Sequence, residues 1–153
     1  MELKLVTDRD EALALAGLVQ RCAEASTAEF RDAALPEDVG RRAIERGFDQ
    51  PEFLLAVARE DGAPDGIAGL CLVMPFVDPL TAERLPMIVL LHVERSHRHR
   101  GVARALVSEA QRLLSRRGLG ALAARAGHND DALISMGERW GFLRAWELLV
   151  REQ

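Results

Sequence analysis

The residues with the most chemistry in them lie in one run: Val93-Glu94-Arg95-Ser96-His97-Arg98-His99-Arg100-Gly101-Val102-Ala103-Arg104-Ala105-Leu106. It leaves an apolar stretch, passes through a basic turn and enters a run with helical spacing. The first amides of a helix have no intrahelical acceptor, and the helix dipole adds positive potential to them, so such a start is an anion site. Gly101 has no Cβ and lets a phosphate approach the main chain, and Ala103 keeps the next contact small. Arg98, Arg100 and Arg104 add charge beside it. The plainer reading is a solvated arginine-rich turn. Recognition of nucleic acid through these arginines is not expected, because no aromatic residues interleave with them and the protein carries a net charge of −4.

A second set could move protons. His92 stands just before the run, a residue type suited to proton exchange near neutrality, with Glu94, Glu83 and Asp78 close in sequence. His92, His97 and His99 do not form a recognised metal pattern, since they straddle a strand and a turn without an acidic or cysteine partner at ligand spacing. Cys22 and Cys71 are far apart and read as buried thiols.

These residues need elements to position them. Glu2 to Val6 alternates as a strand, and Thr7 to Asp10 offers caps for a helix over Glu11–Ala25. A second helical stretch runs from Ser26 to Arg46, with Leu35-Pro36 as its break point. Phe53–Arg59 and Ile67–Met74 read as a hairpin around the polar turn Glu60–Gly66. Pro75 to Pro86, with three prolines, reads as a connection. Met87–Val93 is apolar throughout, as in a central strand covered on both faces. The helix over Gly101–Arg117 follows, then a strand over Leu119–Ala126, a helix over Asn129–Trp140 and a closing strand over Arg144–Arg151. The order β-α-α-β-β-β-α-β-α-β predicts an α/β (α+β) layered domain with a mixed, mostly antiparallel sheet flanked by helices, and the 153 residues suit a single domain over 1–153.

Charge is divided unevenly. Residues 1–84 hold 17 acidic and 9 basic side chains, and residues 85–153 hold 7 and 11. A basic half suits a polyanionic ligand and an acidic half a cationic co-substrate, although solvated helix faces produce the same asymmetry. No run approaches the length of a membrane span and the start lacks signal-peptide character, which makes a cytoplasmic protein with no membrane partner the expectation. An exposed terminal strand edge is compatible with a homodimer through that strand or the Trp146 region.

The run from Val93 resembles the signature of the GNAT superfamily of N-acyltransferases: Arg or Gln, two residues, Gly, one residue, then Gly or Ala, preceded five positions earlier by a strand valine. Here those positions are Arg98, Gly101, Ala103 and Val93. Asn129, Ala132 and Gly141-Phe142 are similar to the family's later Asn-x-x-Ala and Gly-Phe pair, and the element order agrees along nearly the whole chain. The resemblance implies that acetyl-CoA is the acyl donor and co-substrate, its pyrophosphate held by backbone groups of Arg98, His99, Arg100, Gly101, Val102, Ala103 and Arg104. It implies that Leu91 and Val93 pair with the pantetheine arm, that Asn129 hydrogen-bonds it, and that the cofactor lies where the central strand and the next strand splay apart. It further implies direct attack by a primary amine of a small molecule or peptide in a ternary complex.

Many members place a tyrosine in the helix after the asparagine to protonate the leaving thiolate, and this chain has none. The position falls on Met136 counted from Asn129, or on Gly137 counted back from Gly141, with Ser135 as the neighbouring hydroxyl. His92 and Ser135 are therefore the candidate catalytic residues. The acidic residues Glu29, Asp32, Glu37, Asp38, Asp78 and Glu83 would favour a cationic acceptor, or simply face solvent. An acyl-CoA-binding module without transfer chemistry is the alternative that the missing tyrosine supports.

Overall fold

A computed structural model describes residues 1–28, 34–127, 130–145, 149 and 151. The elements are β1 (Glu2–Leu5), α1 (Arg9–Ala14), α2 (Ala16–Ala28), α3 (Val39–Gly47), β2 (Leu54–Arg59), β3 (Ile67–Val77), β4 (Arg84–Val93), α4 (Val102–Arg116), β5 (Ala123–Ala124) and α5 (Asp131–Arg139), with short 3-10 turns at Pro64–Gly66 and Arg95–His97. Among the described residues the strands form one sheet in the order β1-β2-β3-β4-β5. Its pairs are antiparallel except β4 with β5, which is parallel. The fold is the expected mixed sheet with helices on both faces.

Two apolar layers hold it together. On one face Val19, Cys22, Ile44, Leu55, Val57, Leu70, Leu72 and Leu90 pack beneath α1, α2 and α3. On the other, Leu54, Ala56, Cys71, Val73 and Ile88 meet Val102, Leu106, Ala110 and Leu114 of α4. The alternation along β2 and β3 sends neighbouring residues to opposite layers, which is why both strands read as nearly continuous apolar runs. Both cysteines are buried and free, as expected.

Several boundaries differ from the sequence reading. The connection expected over Pro75–Pro86 shrinks to residues 78–83, because β3 continues to Val77 and β4 begins at Arg84, with Pro75 opposite Pro86. Asp78 N–H donates to Glu83 C=O at 2.8 Å, and antiparallel alternation then makes Pro75 and Pro86 a non-hydrogen-bonded pair. Neither proline removes a bond from this ladder, so both are tolerated in the arm. The helix expected over Glu11–Ala25 is two, α1 and α2, broken where Leu15 N–H turns back to Ala12 C=O in a tightened 3-10 bond. The second helical stretch survives as the tail of α2 and as α3, which starts after Pro36.

The strand expected over Leu119–Ala126 is only Ala123–Ala124, since β4 offers it two pairing positions. Arg144 and Ala145 are not in a strand; Trp146 to Leu148 and Val150 of the expected closing strand lie outside the described residues. Among the described residues no helix is long and apolar enough to cross a membrane.

Candidate active site

The basic turn is fixed at both ends. Glu94 N–H donates to Ala68 C=O at 2.9 Å as β4 finishes, and His97 N–H returns to Glu94 C=O at 2.8 Å. His97 is buried, with Nδ1 2.8 Å from Ser96 Oγ. Arg98 Nε donates to Val93 C=O at 3.0 Å, tying the turn to the strand. His99 (φ 62°) and Gly101 (φ 81°) are left-handed, a sequence of conformations that curls successive N–H groups toward one concavity. The first helical bond is Ala105 N–H to Gly101 C=O, 2.9 Å, so the amides of Val102, Ala103 and Arg104 open outward from the start of a 15-residue helix.

The helix start is seated by Gly69 of β3. A Cβ there would lie 2.9 Å from both His92 O and Val102 Cγ1, and 3.2 Å from Leu106 Cδ1. Only a residue without a side chain lets α4 press this closely on the sheet. Gly101 is the reverse case: a Cβ there would meet nothing within 4 Å, so its backbone angle and the open space in front of it are what matter.

β4 changes character along its length. Its first half joins β5 at Met87↔Ala123 and Ile88↔Ala124, closed by Arg125 N–H to Ile88 C=O at 3.0 Å. The β3–β4 register then slips, with Leu72 opposite Leu90 and Val73 opposite Ile88, leaving Val89 as an extra residue. Val89 and Leu90 consequently both pack on the α2 layer, while Ile88 and Leu91 pack on the α4 layer. Since Glu94 bonds β3, alternation points the backbone groups of His92 at β3 as well and those of Leu91 and Val93 to the side where β5 has ended. That open strip leads to the basic turn.

The same slip turns His92 toward α2. Its Nδ1 is 3.4 Å from Ser26 Oγ and its Nε2 3.4 Å from Glu94 Oε1, with the imidazole side chain only 10% exposed. His92 and Glu94 border a cleft of about 350 Å3, lined by Arg21, Cys22, Asp65, Arg95 and Arg98 among others. Arg21 and Asp65 are 2.6 Å apart across it. Burial, then the Glu94 charge, push the Cys22 thiol up to about 11 against a lowering by Arg21. Burial alone pushes Cys71 to about 12. Neither thiol is a nucleophile near neutrality.

The other sequence candidates are placed differently. Leu91, Val93 and the turn from Arg98 to Arg104 come together at the end of β4. Ser135 is exposed on α5, its hydroxyl has no hydrogen bond among the described residues, and it does not line the cleft. Asn129, Glu29 and Asp32 lie outside the described residues. The remaining carboxylates mostly serve local structure: Asp38 pairs with Arg42 at 2.6 Å, and Asp78 accepts the Leu80 and Thr81 amides, both at 2.8 Å. Those partners hold both carboxyls below the usual range, the arginine hydrogen bond in the first and the two amides in the second. Among the described residues no three His, Cys, Asp or Glu side chains are grouped to hold a metal ion.

Sequence reasoning missed Ser26, Arg21, Asp65 and Gly69. Ser26 follows Cys22 by one helical turn, which places both on one face, but nothing local says which strand that face meets. Gly69 did carry a signal, as a glycine inside an apolar strand pattern marks a close backbone approach.

Comparison with known proteins agrees with this geometry. The profile of the acetyltransferase (GNAT) family matches residues 19–142. No curated protein sequence matches the chain. Among solved structures, the fold is similar to that of ribosomal-protein-alanine N-acetyltransferase from Brucella melitensis biovar Abortus 2308, with TM-score 0.66, 20% identity and all of both chains covered. It is also similar to an aminoglycoside acetyltransferase from an uncultured soil metagenomic sample in complex with sisomicin, with TM-score 0.70, 14% identity, and 99% of this chain and 94% of that one covered. A third is aminoglycoside N-acetyltransferase AAC(6')-Iy in complex with CoA, with TM-score 0.66, 13% identity, and 99% and 98% covered. With a family profile spanning most of its length, a basic turn opening a helix and a central strand splayed from its neighbour, this chain belongs to the GNAT acetyltransferase family, whose members use acetyl-CoA.

Proposed function

We propose that the protein transfers the acetyl group of acetyl-CoA to a primary amine of a small molecule or peptide by direct attack in a ternary complex. The observation that carries this reading is the strip of β4 backbone at Leu91 and Val93 that is turned away from β3 and runs into the outward-facing amides of Val102, Ala103 and Arg104. An extended pantetheine arm can pair with the strip while the pyrophosphate sits at the helix start, with Arg98, His99, Arg100 and Gly101 shaping the turn. Asn129 is assigned to the same arm by the family motif.

The attacking amine must be neutral, and the tetrahedral oxyanion needs a donor. His92 is the base in this reading: Glu94 accepts from Nε2–H, which leaves Nδ1 as the acceptor, shared with the Ser26 hydroxyl in the resting protein. The amide of Leu91 or Val93 faces the oxyanion. The thiol of the departing coenzyme has an ordinary pKa of about 8.5, so its thiolate leaves without a dedicated acid; Ser135, if it acts, does so through water.

A melt of the protein with acetyl-CoA, free CoA or ATP, followed by thiol release with a panel of amines, tests the proposal. A rise of several degrees specific to the coenzymes, together with amine-dependent thiol release, is expected. Coenzyme binding without thiol release would instead support the binding-module reading, which the lack of any tyrosine favours.

A further inference from the structure

The cleft beside His92 holds three guanidinium groups, Arg21, Arg95 and Arg98, against two carboxylates, Asp65 and Glu94. Four of these five already have partners: Arg21 with Asp65 at 2.6 Å, Glu94 with His92 at 3.4 Å, and Arg98 with the Val93 carbonyl at 3.0 Å. Arg95 is exposed, and among the described residues its side chain has neither an ion pair nor a hydrogen bond. We propose that this cleft takes an acceptor carrying a carboxylate beside its amine, an amino acid or close analogue, with Arg95 binding the carboxylate and the amine lying toward His92 and Glu94. The proposal rests on the transfer reading above and specifies its acceptor.

The charge balance selects against the opposite class. Among the described lining residues a polycationic amine entering here would meet a surplus of guanidinium charge, with Glu94 as the one carboxylate outside the Arg21–Asp65 pair. An amino acid instead supplies one charge of each sign, matching Arg95 and the Glu94 side. A guanidinium is also suited to a carboxylate, which it can grip through two parallel N–H donors. The cleft's volume, about 350 Å3, suits a small molecule. Of the acidic residues that would have favoured a cationic acceptor, Asp38 is engaged with Arg42 and Asp78 with the amides of its own turn.

An anion at Arg95 could also be a phosphate of the coenzyme, and the experiment separates the two. The full-length protein is assayed by thiol release from acetyl-CoA with the standard amino acids, with the same compounds as carboxamides, and with polyamines and aminoglycosides. Calorimetric binding of the acids and amides in the presence of CoA runs alongside. At least one free acid is expected to exceed its amide in kcat/KM by on the order of tenfold or more, with Arg95→Gln raising the acceptor KM and leaving the acetyl-CoA KM unchanged. Arg95→Lys should recover part of the loss. Equal use of acid and amide, preference for polycations, or an Arg95→Gln effect confined to the acetyl-CoA KM would each overturn the proposal. Should no amine of any class release thiol, the transfer reading fails and binding decides: an Arg95-dependent preference for acid over amide upholds the carboxylate subsite, and its absence sinks it.

Discussion

Two clefts among the described residues have almost equal volume, about 350 Å3 at the end of β4 and about 340 Å3 where β1 gives way to α1, and they differ in what their polar groups are doing. In the second cleft Arg117 donates to the carbonyls of Phe53 at 2.6 Å and Pro51 at 3.3 Å, while nearby Asp49 pairs with Arg9 at 2.9 Å. Its charged groups fasten the start of β2 to α1 and α4. In the first, the imidazole of His92 is held at two loose contacts of 3.4 Å, Arg95 has no partner among the described residues, and the helix start next to it has amides facing outward. Volume therefore does not distinguish a site from a structural recess here. Unengaged polar groups do.

That contrast can be broken by substitution. Gly101→Glu should weaken coenzyme binding by on the order of a hundredfold, about 2.7 kcal/mol, because it places a carboxylate at the anion turn; titration calorimetry of a folded variant reads this, and an unchanged Kd would falsify the anion-site assignment. His92→Ala should lower kcat by a similar order, as removal of a general base does, while coenzyme affinity stays the same. If both kcat and the Kd for CoA are unmoved, His92 returns to a structural role. Gly69→Val should cost about 1–3 kcal/mol of stability from overpacking against Val102 and Leu106, and it should also weaken coenzyme binding because the helix start shifts. A denaturant midpoint that does not move would contradict the seating role given to this glycine.

The second cleft should behave in the opposite way. Arg117→Ala ought to lower stability by about 1 kcal/mol through the lost bond to the Phe53 carbonyl, with no change in coenzyme affinity or turnover. Any loss of coenzyme binding would erase the distinction between the two recesses. The smallest effect concerns Glu52, whose side chain is 4% exposed and accepts from Arg84 at 2.8 and 3.0 Å. The Arg84 hydrogen bonds hold its carboxyl below the ordinary 4.5. A depressed carboxyl contributes stability that is present above its unfolded value and lost as pH falls through the folded one. Melting temperature should therefore fall in acid below about pH 4.5, and Glu52→Gln should flatten that part of the profile.

What the sequence revealed depended on how far apart the interacting residues are. The basic turn opening a helix was legible because its parts, from Arg98 to Arg104, are contiguous. The element order was legible because α4 repeats its apolar positions at helical spacing and the β2–β3 hairpin has a polar turn. The meeting of Ser26 with His92 was not, since the two are 66 residues apart and come together only after α2 docks on the sheet. The bulge at Val89 was hidden for a different reason: in a run where Met87 through Leu91 are all apolar, an extra residue leaves no break in the pattern. The roles of Asp38 and Asp78 stayed open because a charge in a loop looks the same in sequence whether it awaits a ligand, pairs with an arginine one turn on, or accepts its own turn's amides.

The extra residue at Val89 acts as a half-period phase shift within a single strand. Upstream of it the strand is in step with β5 and completes the sheet; downstream it is out of step, facing Leu91 and Val93 outward and His92 toward α2. Were Val89 held in regular alternation instead of bulged, every residue beyond it would swap faces, with His92 on the α4 side and Leu91 on the α2 side. The faces that β4 presents beyond Ile88 thus depend on that one bulge.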